Sequence, residues 1–494
     1  MNRRRHEETS VEQIKIDPRF ALRTAILSIL LLWPLLVFGQ PSYFPDSASY
    51  QKGGRVAVNF ALAKLHLGGE QEPASPPAAS AQGMTPPSPL ASNTPTEATT
   101  AKGIRSITYS VVSYILRGPG QSMVYLTVFQ ALALAFVALA LFESIAGRRG
   151  VRDFTAMAVG FAFLTTAAPV TTGIIPDVFA AIIIAVQLLL TFYWQRLSWP
   201  MAVVLIALAA FAVSSHASHP PLALGMATMG SLCLFWFRRT NTLAPWRSAA
   251  MSWLPSLLGV VLVLVSGLVG FGEVSMAPKR YPLALARAID NGPALWYLQD
   301  HCDPPEYAVC ELYGTNIPKT VEEFLWLPNG LVERATPEQM DRIRAEESLI
   351  IWRTTLAYPG AQLANIVRDI PDQMIIFEVN PRQYFATIET QADGNPVIRD
   401  IDPERQRPLL RWLNRVAAIV VLISTVLLAL CLPRMTKTER GMLVMLFAGL
   451  LINASVCAIF SGVASRYQAR VVMILPLVAM AIVASRRDRT MKTA

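Results

Sequence analysis

The sequence predicts an all-α polytopic membrane protein with about ten transmembrane helices and a mainly helical extracytoplasmic subdomain. Three observations predict it. Hydrophobic residues make up 53% of the 494 residues and charged residues 16%, whereas soluble domains carry roughly a quarter charged residues. Apolar runs of roughly 17 to 22 residues, long enough to cross a ~30 Å hydrocarbon core as helices, fall at about 20–38, 121–142, 154–170, 175–193, 198–215, 220–237, 250–271, 413–432, 441–461 and 468–485. Between them the hydrophilic stretches alternate between arginine-rich and arginine-poor, the signature of positive loops retained in the cytoplasm.

The arginine-rich stretches define the orientation. Arg3, Arg4 and Arg5 precede the first run; Arg148, Arg149 and Arg152 follow the second; Arg238, Arg239 and Arg247 follow the sixth. Arg434, Lys437 and Arg440 follow the eighth, and Arg486, Arg487 and Arg489 close the chain. Counting spans places all of them on one side, so both termini are expected in the cytoplasm. The net charge of +9 therefore reads as topology and argues against a nucleic-acid partner, because the basic residues sit in short runs between apolar stretches. The first run is read as an uncleaved anchor, since no small-residue cleavage site follows it. The expected organisation is a cytoplasmic segment 1–19, seven spans within 20–271, an outer subdomain at 272–411, three spans within 412–485 and a cytoplasmic tail at 486–494.

The first outer loop, 39–120, holds a Pro/Ala/Ser/Thr-rich tract at 70–100 with almost nothing large and apolar to bury, and is expected to be disordered there. Its flanks, 42–66 and 103–117, read as short surface helices, with Ile104, Ile107, Val111, Tyr114 and Ile115 at the spacing of one buried stripe. In the second outer region, Thr320 with Glu323 and Thr336 with Gln339 match the reciprocal capping pattern of helix starts. Leu363, Ile366, Val367 and Ile370 share one face of a helix from Pro359. Cys302 and Cys310, close together in an outer region, are expected to form a disulfide. Cys233, Cys431 and Cys457 lie in spans, where a thiol behaves as a small hydrophobe.

Three charged segments fall at the same expected outer face: PDSASY at 45–50, IIPDVF at 174–179 and SRYQAR at 465–470. Ionisable groups beside a bilayer are costly, so their convergence from distant parts of a chain suggests a site. Asp46 and Asp177 each follow a proline, and each also suits a helix start, where a carboxylate meets free N–H groups. His216 and His219 close the fifth run three residues apart, as interfacial hydrogen-bonding residues or as a pair that holds a divalent metal ion with Asp46 or Asp177. Arg466 and Arg470 share a helix face where arginine is otherwise sparse, placed either to snorkel to headgroups or to clamp a phosphate.

An acid just after the first span, a second acid in the next outer loop, an outer active face and a folded outer subdomain together resemble the polyprenol-dependent glycosyltransferases of the GT-C fold, such as protein O-mannosyltransferases and aminoarabinose transferases. The resemblance implies transfer of a sugar from a polyprenyl-phosphate donor to an extracytoplasmic acceptor, in a bacterial inner (plasma) membrane. It gives Asp46 the role of first-loop acid, Asp177 that of second acid, and Arg466 with Arg470 that of lipid-phosphate ligands. Tyr50, His216 and His219 are further substrate-binding candidates. The chain departs from the family pattern in having no Asp-x-Asp pair in the first loop and in placing its large hydrophilic region between the seventh and eighth spans. A polysaccharide polymerase or ligase using lipid-linked glycans would rest more on His216, His219 and Arg466. A transporter or flippase would carry its ionisable residues at mid-membrane in broken helices.

Overall fold

The computed structural model describes residues 13–64, 105–119, 122–147, 150–236, 245–276, 279–379, 386–390, 396–400 and 407–493; the tract expected to be disordered lies outside them. Six helices are long and apolar enough to cross a membrane: Pro18–Phe38, Val124–Ala146, Trp246–Phe271, Pro408–Arg434, Lys437–Phe460 and Ser465–Arg487. They cover the first, second, seventh, eighth, ninth and tenth apolar runs. The four remaining runs hold shorter helices, Val151–Leu164, Val178–Phe192 and Trp199–Ser214, and the 18-residue His219–Trp236. The third run is broken because Thr165 leaves the helix in extended conformation. Its hydroxyl donates to the Phe161 carbonyl and accepts from the Ala167 N–H, and a separate helix, Ala167–Thr171, then begins.

Local chemistry explains the helix boundaries. Asp17 caps the first helix by accepting from Phe20 N at 2.7 Å, with Pro18 supplying the preset φ of the first turn. Thr436 and Glu439 form a capping box that opens Lys437–Phe460. Burial then sorts the helices. In Ser465–Arg487, 83% of the apolar window is buried and in Val124–Ala146 67%, against 17% for Pro408–Arg434 and 28% for Trp246–Phe271. The first two are therefore central and the last two present most of their apolar side chains outward, as lipid-facing helices do. Val178–Phe192, apolar all round, packs against Val124–Ala146, Trp199–Ser214 and His219–Trp236 in the middle of the bundle.

Residues 279–379 build a helical subdomain with its own apolar core, in which Leu285, Ile289, Leu298, Phe324, Met340 and Ile343 are fully buried or nearly so. Both expected capping boxes are present, at Thr320 and Thr336, and Cys302 is disulfide-bonded to Cys310. A short antiparallel hairpin, Ala386–Thr390 with Pro396–Asp400, pairs Ile388 with Ile398. The helical reading did not include it, although its β-branched residues on either side of Asp393-Gly394 are a hairpin signal.

One expected face is oriented otherwise. In Ile107–Ile115 the buried residues are Tyr109, Ser110 and Ser113, and Ile115 points outward. The reason is close packing against Pro45–Lys64, where Gly54 lies directly against the Ser110 backbone and leaves room only for small residues. In Pro359–Ile375 the polar residues Asn365, Asp369 and Gln373 face inward while Leu363, Ile366 and Val367 face outward.

Candidate functional site

Asp46 stands in the first turn of Pro45–Lys64, directly after the proline that starts it. Its place at a helix start is as expected, but its carboxylate meets charged side chains, while it is Ser47 Oγ that accepts a backbone N–H there, from Phe44. One carboxylate oxygen is bound by Arg105 and the other lies 3.9 Å from Arg466 Nη2. Arg105 enters from the segment just before Ile107–Ile115, and its guanidinium lies over the rings of Tyr281 and Trp326. Burial is the largest influence and alone would lower the pKa of Arg105, but Asp46, Tyr50 and Tyr281 together outweigh it, and the net shift is upward, so Arg105 is charged. Arg466 donates to Tyr467 Oη at 3.2 Å and lies over Phe44 and its neighbour Tyr467.

A second pair lies beneath the first. Arg470 is fully buried and donates to Asp177 Oδ1 at 3.0 Å, to Asn453 Oδ1 at 2.9 and 3.2 Å, and to Ser218 Oγ at 3.0 Å. A buried guanidinium is tolerable only when its donors are matched in this way. Ser218 continues the chain of bonds. Its hydroxyl lies 2.8 Å from His216 Nδ1, and its backbone N–H donates to that same nitrogen at 3.2 Å. Nδ1 is thus an acceptor and the ring proton sits on Nε2. Burial, then the charges of His219 and Arg470, push His216 well below the ordinary histidine value, so the ring is neutral at pH 7.

His219 has a different setting. It is fully buried, with Nδ1 2.7 Å from the Ala212 carbonyl and 3.1 Å from Ser215 Oγ. Because the carbonyl can only accept, Nδ1 carries the proton. The two imidazole centroids are 5.2 Å apart. Among the described residues no three of His, Cys, Asp and Glu converge as metal ligands. The pair also has its Nδ1 atoms engaged, and Asp177 is held by Arg470.

Part of this set borders a cavity of about 560 Å³ between the helix ends and the subdomain. Asp46, Tyr50, His216 and Arg466 line it, whereas Asp177, His219 and Arg470 do not. Tyr50 packs edge-on against Tyr109, with ring centroids 4.9 Å apart. Its lining includes the charged residues Asp46, Arg105, Arg280, Glu347 and Arg466 and the apolar residues Val263, Met276, Ile351, Val456 and Phe460. The volume lies within the roughly 300–1,000 Å³ typical of small-molecule sites.

Sequence reasoning missed Arg105, Arg280, Tyr281, Glu347 and Asn453. Arg280 lines the cavity from the subdomain side and is paired with Glu347, whose other oxygen accepts from Leu285 N at 3.0 Å. Arg280 had no signal of its own, because it is one of many basic residues in the 272–411 region. Asn453 had only the signal of a lone amide inside an apolar run.

No protein-family model, curated protein or solved structure matches this chain.

Proposed function

We propose that the chain is a ten-span integral-membrane glycosyltransferase that moves a sugar from a polyprenyl-phosphate donor to an extracytoplasmic acceptor. The observation that carries this reading is the cavity lining, which combines apolar side chains with Asp46 held between Arg105 and Arg466. An isoprenoid phosphate has the matching form, an apolar tail joined to a compact anion. In this reading the four shorter helices cross the membrane together with the six long ones.

In this mechanism the donor phosphate competes with Asp46 for the Arg105 and Arg466 guanidinium groups, which frees the carboxylate as the donor seats. Asp46 then takes the proton of the acceptor hydroxyl while the hydroxyl oxygen bonds to the anomeric carbon. The bond from that carbon to the phosphate oxygen breaks, and its electron pair leaves with the polyprenyl phosphate. Fixed guanidinium groups stabilise the departing charge without reorganising. Asp177 and Arg470 act through position, because together with Ser218 they set the His216 ring at the cavity wall.

Purified protein in liposomes, incubated with a panel of polyprenyl-phosphate sugars and with acceptor-containing envelope extract, tests the reading. Donor loss matched by release of polyprenyl phosphate and by sugar on a new acceptor supports it. Sugar that only changes leaflet, or growth of a pre-existing lipid-linked glycan chain, overturns it in favour of a flippase or a polymerase.

A further inference from the structure

The helix Pro359–Ile375 is amphipathic with its sides exchanged relative to a water-surrounded domain. Its polar residues Asn365, Asp369 and Gln373 are buried, while Leu363 is 62%, Val367 64% and Ile375 72% exposed. The buried polar face is fully engaged. Asn365 donates to the Asn291 carbonyl at 3.2 Å and Asp369 accepts from Arg287 at 2.7 Å. Gln373 makes two bonds with the backbone of Ala464, at 2.8 and 3.0 Å. The orientation is therefore set by matched polar groups and is not a surface accident.

Ala464 lies in the turn between Lys437–Phe460 and Ser465–Arg487, so the second half of the helix is level with the ends of two spans. Met374 reaches further. It packs against the transmembrane core, and its sulfur lies 3.6 Å from Gln468 Nε2, a residue of the last span. Just beyond the helix, Val379 packs with Leu410 and Leu413 of Pro408–Arg434 and with Trp33 and Phe38 of the first span. Val379 is also fixed by both backbone groups to Asn414, at 2.9 and 3.1 Å. The chain at this point is at the depth of the spans. The exposed Ile459 and Phe460 at the end of Lys437–Phe460 extend the same kind of apolar surface.

We infer that the Leu363–Val367–Ile375 face of this helix is immersed in the lipid leaflet on the subdomain side. Helices that lie in the bilayer interface bury their apolar face at the boundary between acyl chains and headgroups. Arg368, with its side chain 59% exposed next to that face, donates from Nε to Asp369 at 2.8 Å and can turn its terminal nitrogens to the headgroup phosphates. The subdomain is thereby seated on the bilayer along one side as well as joined to it at its two ends. This inference does not depend on the enzymatic reading.

The test uses the full chain in liposomes, with single cysteines at Leu363, Val367 and Ile375 carrying an environment-sensitive fluorophore. The labelled wild type, with its free Cys233, Cys431 and Cys457, gives the background, and Arg342→Cys on the exposed side of the subdomain gives the aqueous reference. Lipid-borne bromine is expected to quench positions 363, 367 and 375 several-fold more than it quenches 342, with aqueous iodide showing the reverse order. Iodide quenching at 363 and 367 equal to that at 342 overturns the inference. Protection from both quenchers that disappears as the protein is diluted in lipid also overturns it, by placing a second copy on the face. Three positions are read separately, so loss of folding in one variant leaves two that decide.

Discussion

Arg470 and Asp177, 293 residues apart in sequence, meet at 3.0 Å in the interior, and neither lines the cavity. Their pairing joins the start of Val178–Phe192 to the Ser465–Val472 helix, and Arg470 passes the connection on to Ser218 and His216. Breaking one side of such a pair leaves an uncompensated buried charge, at a cost of about 3–5 kcal/mol. Asp177→Asn should therefore lower the thermal midpoint in detergent sharply. Asp177→Asn combined with Arg470→Gln should be less destabilised than Asp177→Asn alone. A loss in the double variant equal to the sum of the losses in Asp177→Asn and in Arg470→Gln would show that the two residues are not coupled.

The contact between Pro45–Lys64 and Ile107–Ile115 makes a prediction from two adjacent glycines. A Cβ at Gly54 would run into the Ser110 carbonyl and sit 2.6 Å from Tyr114 Cβ, whereas one at Gly53 meets nothing nearer than Ser110 Oγ at 3.4 Å. Gly54→Ala should force the helices apart and displace Asp46 from Arg105. Gly53→Ala should be neutral or stabilising by up to about 1 kcal/mol, because alanine favours the helix. Thermal melts of the two variants side by side decide the matter, and equal midpoints would contradict the packing described.

His216 gives a pH signature. Its folded value is depressed by burial and by the charges of His219 and Arg470, and in the unfolded chain histidine titrates near about 6.5. The unfolded state then binds more protons as pH falls below that value, so the contribution of His216 to stability is present above it and is lost on acidification. His216→Asn should flatten the acid side of a stability–pH profile. An unchanged profile would place the acid sensitivity elsewhere.

Arg280 is predicted to assist donor binding from the subdomain wall, since its guanidinium borders the cavity and its side chain is 38% exposed. Loss of one hydrogen bond to a charged group is worth about 1.5–3 kcal/mol. Arg280→Gln should raise the KM for a polyprenyl-phosphate sugar by roughly ten- to a hundredfold, with kcat little changed and partial rescue by Arg280→Lys. A fall in kcat with no change in KM would instead make Arg280 part of the chemical step.

The helical, membrane-spanning character of the chain was legible in the sequence because membrane insertion writes itself locally, in apolar runs. Asp46, Asp177, Arg466 and Arg470 stood out because charges at the ends of such runs are rare. Their division into two layers was not legible. Asp46 with Arg466 borders the cavity and Asp177 with Arg470 lies beneath it, a distinction set by depth, which linear spacing does not encode. Arg105 was hidden for a related reason, because its partner Asp46 lies on the far side of a long loop. The inward face of Ile107–Ile115 was misread by the rule that apolar stripes face a core, and the outward apolar face of Pro359–Ile375 shows the same rule failing. That rule fails where the surroundings of a helix are apolar and its protein contacts are small or polar.

The central claim is that Asp46, held between two guanidinium groups, carries sugar transfer from a lipid phosphate. It is tested most directly by single-turnover release of polyprenyl phosphate in liposomes, comparing wild type with Asp46→Asn at matched folding and insertion. General-base catalysis contributes roughly 10²–10⁴-fold, so the variant should release polyprenyl phosphate at least a hundredfold more slowly while still binding the donor. Equal release by both proteins would contradict the assignment.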